Sequence, residues 1–196
     1  MNHQSSNYAK HEAKNPFQKW LIRRFHVNIV QLSKKTNAKF IFEAGCGEGF
    51  SSREIISIGN SQLIGLDINL GSIFMAQKKC PTGSFLQGDI LHLPFSDSIF
   101  DLVVSLEVLE HLADPSAALN ELCRVSREWL ILSVPNEPYF CLANFLRGKN
   151  LKRWGNDPGH INHWTKRSFV HFVERRCVVI EKTLSFPWII LLCKIK

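Results

Sequence analysis

Three glycines at alternate positions, Gly45, Gly47 and Gly49, follow Glu43 and the apolar run Phe40–Phe42. A strand that ends in a glycine-rich turn and restarts as a helix lets a ligand approach the backbone closely. It also presents N–H groups at the helix start. The spacing is E-x-G-x-G-x-G, from Glu43 to Gly49, and differs from the G-x-G-x-x-G of dinucleotide binders. Two further acids stand at the ends of apolar runs. Asp67 closes "LIGLD" about 20 residues on, where a carboxylate accepts both hydroxyls of a ribose. Asp89 follows "SFLQG" and precedes Ile90, a pairing suited to an exocyclic amine and the flat face of a purine.

A second set follows the next apolar run. Glu107, Glu110 and His111 are spaced i, i+3, i+4, and His160 and His163 lie in the Gly/Pro-interrupted stretch "GNDPGHINHW". Three readings of this set stand side by side. Carboxylates and imidazoles together bind Mg²⁺ or Mn²⁺, which would lower the pKa of an acceptor hydroxyl. His111 titrates near neutral pH and suits a general base or a group that orients the substrate. The cluster also fits a purely structural role. His111 is taken as the catalytic residue, and no metal ligand is assigned.

The elements that must hold these residues alternate along the chain. Apolar runs occur at "KFIFEAG", "SQLIGLDI", "GSFLQGD", "FDLVVSLEV", "WLILSVP", "VVIEKTLSF" and "WIILLCKI". Helical periodicity covers roughly 48–58, 70–80, 115–127 and 166–176. Runs rich in Val, Ile, Leu and Phe with little alternation are strands buried on both faces. The last two runs meet at Pro187 without room for a helix, so they pair antiparallel. The expected fold is an α/β, doubly wound, seven-stranded and mostly parallel sheet with an antiparallel last strand. A single domain over 1–196 is expected. Within it, 1–37 is an N-terminal helical segment with Phe17, Trp20, Leu21, Phe25 and Leu32 as its apolar stripe, 38–136 is a ligand-binding core, and 137–196 holds a substrate-side loop, a helix and the last two strands.

Composition narrows the partners. The chain has 196 residues and a net charge of +7. Residues 1–40 carry 8 Lys/Arg against 1 Asp/Glu, residues 41–140 carry 5 against 13, and residues 141–196 carry 11 against 3. Basic ends around an acidic middle attract phosphates, acidic substrates or anionic lipid, or simply solvate the surface. Lys19, Arg23 and Arg24 beside the first apolar stripe leave peripheral membrane contact open. Arg147, Lys149, Lys152 and Arg153, interleaved with Phe145 and Trp154, read as a lid over a substrate, with nucleic-acid binding as the lesser reading. Six scattered cysteines without a CxxC pair, no transmembrane run and no signal core point to a cytoplasmic protein.

The set Glu43–Gly47, Asp67, Asp89–Ile90 and "SLEVLEHL" resembles the class I S-adenosylmethionine-dependent methyltransferases. "LPFSDSIFDLV" and "SLEVLEHL" are most similar to their type 11 group, which includes enzymes of ubiquinone and menaquinone biosynthesis. The resemblance implies a Rossmann-like methyltransferase fold, S-adenosylmethionine as cofactor, and methyl transfer to an oxygen or carbon of a small molecule. It implies that Glu43, Ala44, Gly45, Cys46 and Gly47 lie under the methionine part and the ribose. Asp67 and Ile68 would hold the ribose side, Asp89 and Ile90 the adenine, and Leu106 and Glu107 the methionine end. The absence of Asn-Pro-Pro-Tyr after the fourth strand argues against adenine or glutamine N-methylation. The Glu107, Glu110, His111 and His160 set also resembles the metal site of small-RNA 3′-terminal 2′-O-methyltransferases, which keeps a metal-assisted RNA enzyme as an alternative. A cofactor-binding partner subunit without its own turnover is the other.

Overall fold

The computed structural model describes residues 15–57, 60–146, 150 and 154–196. Helix α1 spans Pro16–Thr36; the Asn15 side chain caps it by accepting from Phe17 N at 2.9 Å, and Pro16 supplies a preset first turn. Then follow β1 (Phe40–Ala44), α2 (Phe50–Ile56), β2 (Gln62–Asp67), α3 (Leu70–Lys79), β3 (Ser84–Gln87) and β4 (Phe100–Leu106). A short 3₁₀ turn, Leu109–His111, leads to α4 (Pro115–Val125), β5 (Ser126–Pro135) and α5 (Glu137–Leu146). The chain closes with α6 (Lys166–Glu174), β6 (Cys177–Ser185) and β7 (Trp188–Ile195).

The seven strands form one sheet in the order β3-β2-β1-β4-β5-β7-β6. Strands β1 to β5 pair in parallel, while β7 runs antiparallel to both β5 and β6, as the meeting at Pro187 predicts. The reversal of strand order falls between β1 and β4, where β2 lies on one side of β1 and β4 on the other. Crevices at the carboxyl ends of strands open at such a point.

Neighbouring strand residues face opposite ways, and both faces are covered. Ile41, Leu102, Val104, Ile131 and Ile190 pack with Phe25, Ile29 and Leu32 of α1 and Ile55 of α2. Phe42, Val103, Leu130, Leu132 and Leu191 pack with Leu119 and Leu122 of α4 and with Phe169 and Val173 of α6. This two-sided burial explains the near-continuous apolar runs of β1, β4 and β7. Strand β6, expected to be buried on both faces, instead lies at the sheet's edge and leaves Val178, Ile180 and Leu184 exposed, because among the described residues no strand covers its outer side.

Two elements depart from the expectation. The buried stripe of α1 is Leu21, Phe25, Ile29 and Leu32, one helical period apart, whereas Phe17 and Trp20 are exposed and stack on each other at 6.0 Å. Residues 137–146, expected as loop, form α5. The Pro138 in its first turn and the apolar spacing that follows were its local signals.

Candidate active site

The glycine turn is built as much by packing as by ligand access. Gly45 and Gly49 have φ of +76° and +75°, in the left-handed region. A Cβ on Gly45 would stand 2.3 Å from Val108 Cγ2, and one on Gly49 would stand 2.8 Å from Ala76 Cα in α3. No L side chain fits at either position. In the turn ahead of α2, most backbone N–H groups are taken by the protein itself. Gly45 N and Cys46 N both donate to Leu66 O, at 2.7 and 3.0 Å, and Gly49 N donates to Cys46 O at 3.0 Å. Gly47 N donates to Asp67 Oδ2 at 2.9 Å.

Asp67 is thereby pinned. Its Oδ1 accepts from Asn69 N at 2.8 Å while Oδ2 takes Gly47 N, and each carboxylate oxygen retains a further lone pair for a diol. Ile68, 70 % exposed, presents bare apolar surface next to it. Asp89 is half exposed, with Oδ1 accepting from Leu91 N at 2.9 Å. Ile90, by contrast, is buried in the core, so its open face is small and the exposed neighbour is Ile68.

Glu43 lies at the end of β1 with no exposure to solvent that matters. Burial, with the Asp67 charge adding to it, pushes its pKa up to about 8, although the Ser52 hydroxyl donates to its Oε2. The carboxyl is therefore mostly protonated at neutral pH. Burial also raises the Cys46 thiol, which stays neutral. Glu43, Gly45, Cys46, Gly47, Leu106 and Glu107 wall one cleft together with groups from distant elements: Ile22 and His26 of α1 and Trp188 of β7. Sequence reasoning missed these three. Burial lowers the His26 pKa, more than the Glu54 charge raises it, so this imidazole is neutral. Glu107 has φ +60°, and its Oε2 accepts the Trp188 indole N–H at 2.5 Å.

Ile22 and Trp188 also wall a second cleft of about 710 Å³, so the two are neighbours. The second lies between the start of α1, α5, and the turn that joins β6 to β7, where the Phe186–Pro187 peptide is cis.

The chain from Gly159 to Asn162 is stapled over the 3₁₀ turn. Ile161 N and Asn162 N both donate to Glu110 O, at 2.8 and 3.0 Å, and Asn162 Nδ2 donates to the Leu109 and Leu112 carbonyls at 3.1 and 2.7 Å. His111 is exposed, and its Nδ1–H donates to Gly159 O at 2.7 Å, which leaves Nε2 as the acceptor nitrogen of the neutral ring. His160 is buried, its Nδ1 2.7 Å from Glu137 Oε1, and its ring meets His111 edge-on at 5.0 Å. Burial would raise the Glu137 pKa, but hydrogen bonds from His160 and the Cys141 thiol and the charges of His160 and His163 hold it below the usual carboxylate value. His163 stands farther off, 3.7 Å from the same carboxylate. Glu110, His111 and His160 each bring a donor atom within 4.8 Å of the others. His111 reaches the second cleft through Gly159 and its neighbour Pro158 and walls neither cleft itself. Of the expected lid, Arg147, Lys149, Lys152 and Arg153 lie outside the described residues. Phe145 stacks on Trp154 with ring centroids 5.9 Å apart.

A doubly wound sheet with a reversed last strand, a glycine turn after β1 and acids at the ends of β2 and β3 defines the Rossmann-like methyltransferase class. Residues 42–129 match the type 11 Methyltransferase domain family. The relatives similar to this chain are named S-adenosylmethionine-dependent methyltransferases, and a solved structure of similar fold holds S-adenosylhomocysteine. A probable S-adenosylmethionine-dependent methyltransferase of Mycobacterium tuberculosis is 32% identical over 120 residues, 60% of this chain and 43% of the relative. The tocopherol O-methyltransferase of Arabidopsis thaliana is 35% identical over 104 residues, 50% of this chain and 30% of that protein. The chain spans less than half the length of these relatives. The solved structure of the N-methyltransferase NodS of Bradyrhizobium japonicum with S-adenosylhomocysteine has the same fold, at TM-score 0.73, 16% identity, and coverage of 98% and 93% of the two chains.

Proposed function

We propose that the protein transfers a methyl group from S-adenosylmethionine to an oxygen or carbon of a small-molecule acceptor. One observation carries this reading. The cleft along the glycine turn shares Ile22 and Trp188 as walls with a second concave cleft, so a donor and a small acceptor have adjoining places. The residues fit the cofactor: Gly45, Cys46 and Gly47 wall the first cleft, and Asp67 keeps acceptor capacity on both oxygens. The tocopherol enzyme's name adds a small-molecule acceptor among the relatives.

In this reading Gly45, Cys46 and Gly47 underlie the methionine part, with Glu43 behind them. Asp67 accepts the ribose hydroxyls, Asp89 accepts from the adenine amine, and Ile68 and Ile90 flank the ring. Leu106 and Glu107 border the methionine end. When bound, the cofactor supplies a methyl group already activated on a sulfonium, so the chain's main task is alignment, worth ~7–11 kcal/mol at best. His111 walls neither cleft; in this reading it positions the acceptor through Gly159, next to Pro158 on the wall of the second cleft. The cytoplasm is the compartment this reading assigns; among the described residues no helix is long and apolar enough to cross a membrane.

The test is calorimetry with Asp67→Ala. A charge-assisted pair of hydrogen bonds to the diol is worth ~1.5–3 kcal/mol, so S-adenosylhomocysteine should bind roughly ten- to a hundredfold more weakly. An unchanged dissociation constant, or equal binding of NAD by the unsubstituted protein, would reject the assignment.

The donor set of Glu110, His111 and His160 favours a second reading, in which a divalent cation assists methylation of an RNA 3′-terminal 2′-hydroxyl. Two hydrogen bonds to fixed acceptors, Gly159 O and Glu137, orient both imidazoles, as ligand rings require. Loss of all transfer in chelator, with salt-sensitive binding of short RNA 3′ ends, would decide for it.

A further inference from the structure

We infer that the acceptor is lipophilic: an apolar body lies in the second cleft while its reactive group reaches the Glu107–Trp188 end. This rests on the proposed methyl transfer and specifies its substrate class. The cleft is walled by Phe17 and Leu21 of α1, Phe140 and Leu142 of α5, and Phe186 of the β6–β7 turn. These come from three separate parts of the chain and converge on one space of about 710 Å³, within the size range of sites that enclose a drug-sized molecule.

Three of the five Asn, Gln and Asp side chains along the wall are turned to the protein's own backbone. Asn15 accepts from Phe17 N, Asn144 donates to Gly155 O at 3.1 Å, and Asp157 accepts from Gly159 N at 3.0 Å. What remains for a ligand is chiefly carbon surface. The mouth is apolar as well: Phe17 is 60 % and Leu142 53 % exposed, and both belong to the wall. Large side chains of this kind on adjoining elements mark a binding surface more than a solvated one. The occupant is a small molecule because the cleft adjoins the cofactor corner through Ile22 and Trp188, so that whatever fills it is brought to the methyl donor.

The experiment uses 4-alkylphenols of increasing chain length, titrated into the full chain saturated with S-adenosylhomocysteine. Burial of each added methylene should tighten binding about three- to fourfold until the cleft is full. Leu142→Glu and Phe17→Glu, both at exposed positions, should each weaken hexylphenol binding at least about tenfold. Their affinity for S-adenosylhomocysteine should stay at the unsubstituted value, which also reports that they fold. Binding independent of chain length, or unchanged in both variants, would overturn the inference. Failure of S-adenosylhomocysteine to bind the unsubstituted protein would instead overturn the proposed function, so the two failures are separable.

Discussion

Trp188 donates its indole N–H to Glu107 Oε2 across 2.5 Å, tying the first residue of β7 to the exit of β4. The two residues are 81 positions apart, and both wall the cleft along the glycine turn. The bond fixes a carboxylate where the methionine end is proposed to lie, and it fixes the indole between the two clefts. Trp188→Phe keeps the ring's bulk and removes the donor. A hydrogen bond to a charged group is worth about 1 kcal/mol or more, so S-adenosylhomocysteine affinity should fall roughly three- to tenfold. Calorimetry showing no change would mean that Glu107 takes no part in holding the cofactor.

Glu43 gives the protein a pH dependence of definite sign. Burial raises its pKa from the ordinary 4.5 to about 8, so the folded chain binds this proton more tightly than the unfolded chain. Its contribution to stability is whole below the unfolded pKa and falls as pH rises through about 8. Glu43→Gln is neutral at every pH and lacks this slope. Urea unfolding at about pH 6 and about pH 9 should show the unsubstituted protein losing stability relative to the variant. Parallel profiles would show that Glu43 ionises in the fold as it does in water.

His111 and the metal question separate in one set of assays. Phenolic and carbon acids ionise more readily than a ribose hydroxyl and depend less on a Lewis acid. Transfer should therefore persist in chelator, and His111→Ala should lower kcat by about tenfold or more with a smaller change in KM. The loss should not vary with pH, since His111 walls neither cleft and acts through Gly159. An unchanged kcat would reduce His111 to a structural partner of Gly159.

Asn162 holds the 159–162 stretch on the 3₁₀ turn with two side-chain bonds to carbonyls. Removing them while burying their acceptors costs about 1–3 kcal/mol. Asn162→Ala should lower the unfolding midpoint, and hydrogen exchange at the amides of Ile161 and Asn162 should quicken. In the unsubstituted protein those two amides should be protected without any ligand, since both donate to Glu110 O. Fast exchange there would show that the stretch opens freely and that a lid includes it.

The sequence by itself determined the order of the strands and of every helix but α5, the glycine turn and the acids at the strand ends. These are local matters. Two-sided burial makes a strand an unbroken apolar run, a turn at positive φ selects glycine, and a cap needs one side chain a few residues from its target. Gly45, Asp67 and Asp89 were legible for that reason. The tertiary structure alone decided what meets at the cofactor corner. Ile22 and His26 come from α1 and Trp188 from β7, and no local pattern brings them to Glu43 and Glu107. It also decided which apolar residues stay bare. Phe17 fits the periodicity of α1 as well as Leu21 does, yet it stays exposed in the wall of a cleft while Leu21 is buried. The turn's N–H groups were legible as donors, but their acceptors, Leu66 O and Asp67, were fixed only when β2 came to lie beside β1. Periodicity reports that a side chain needs cover; only the packed chain determines whether protein or a ligand supplies it.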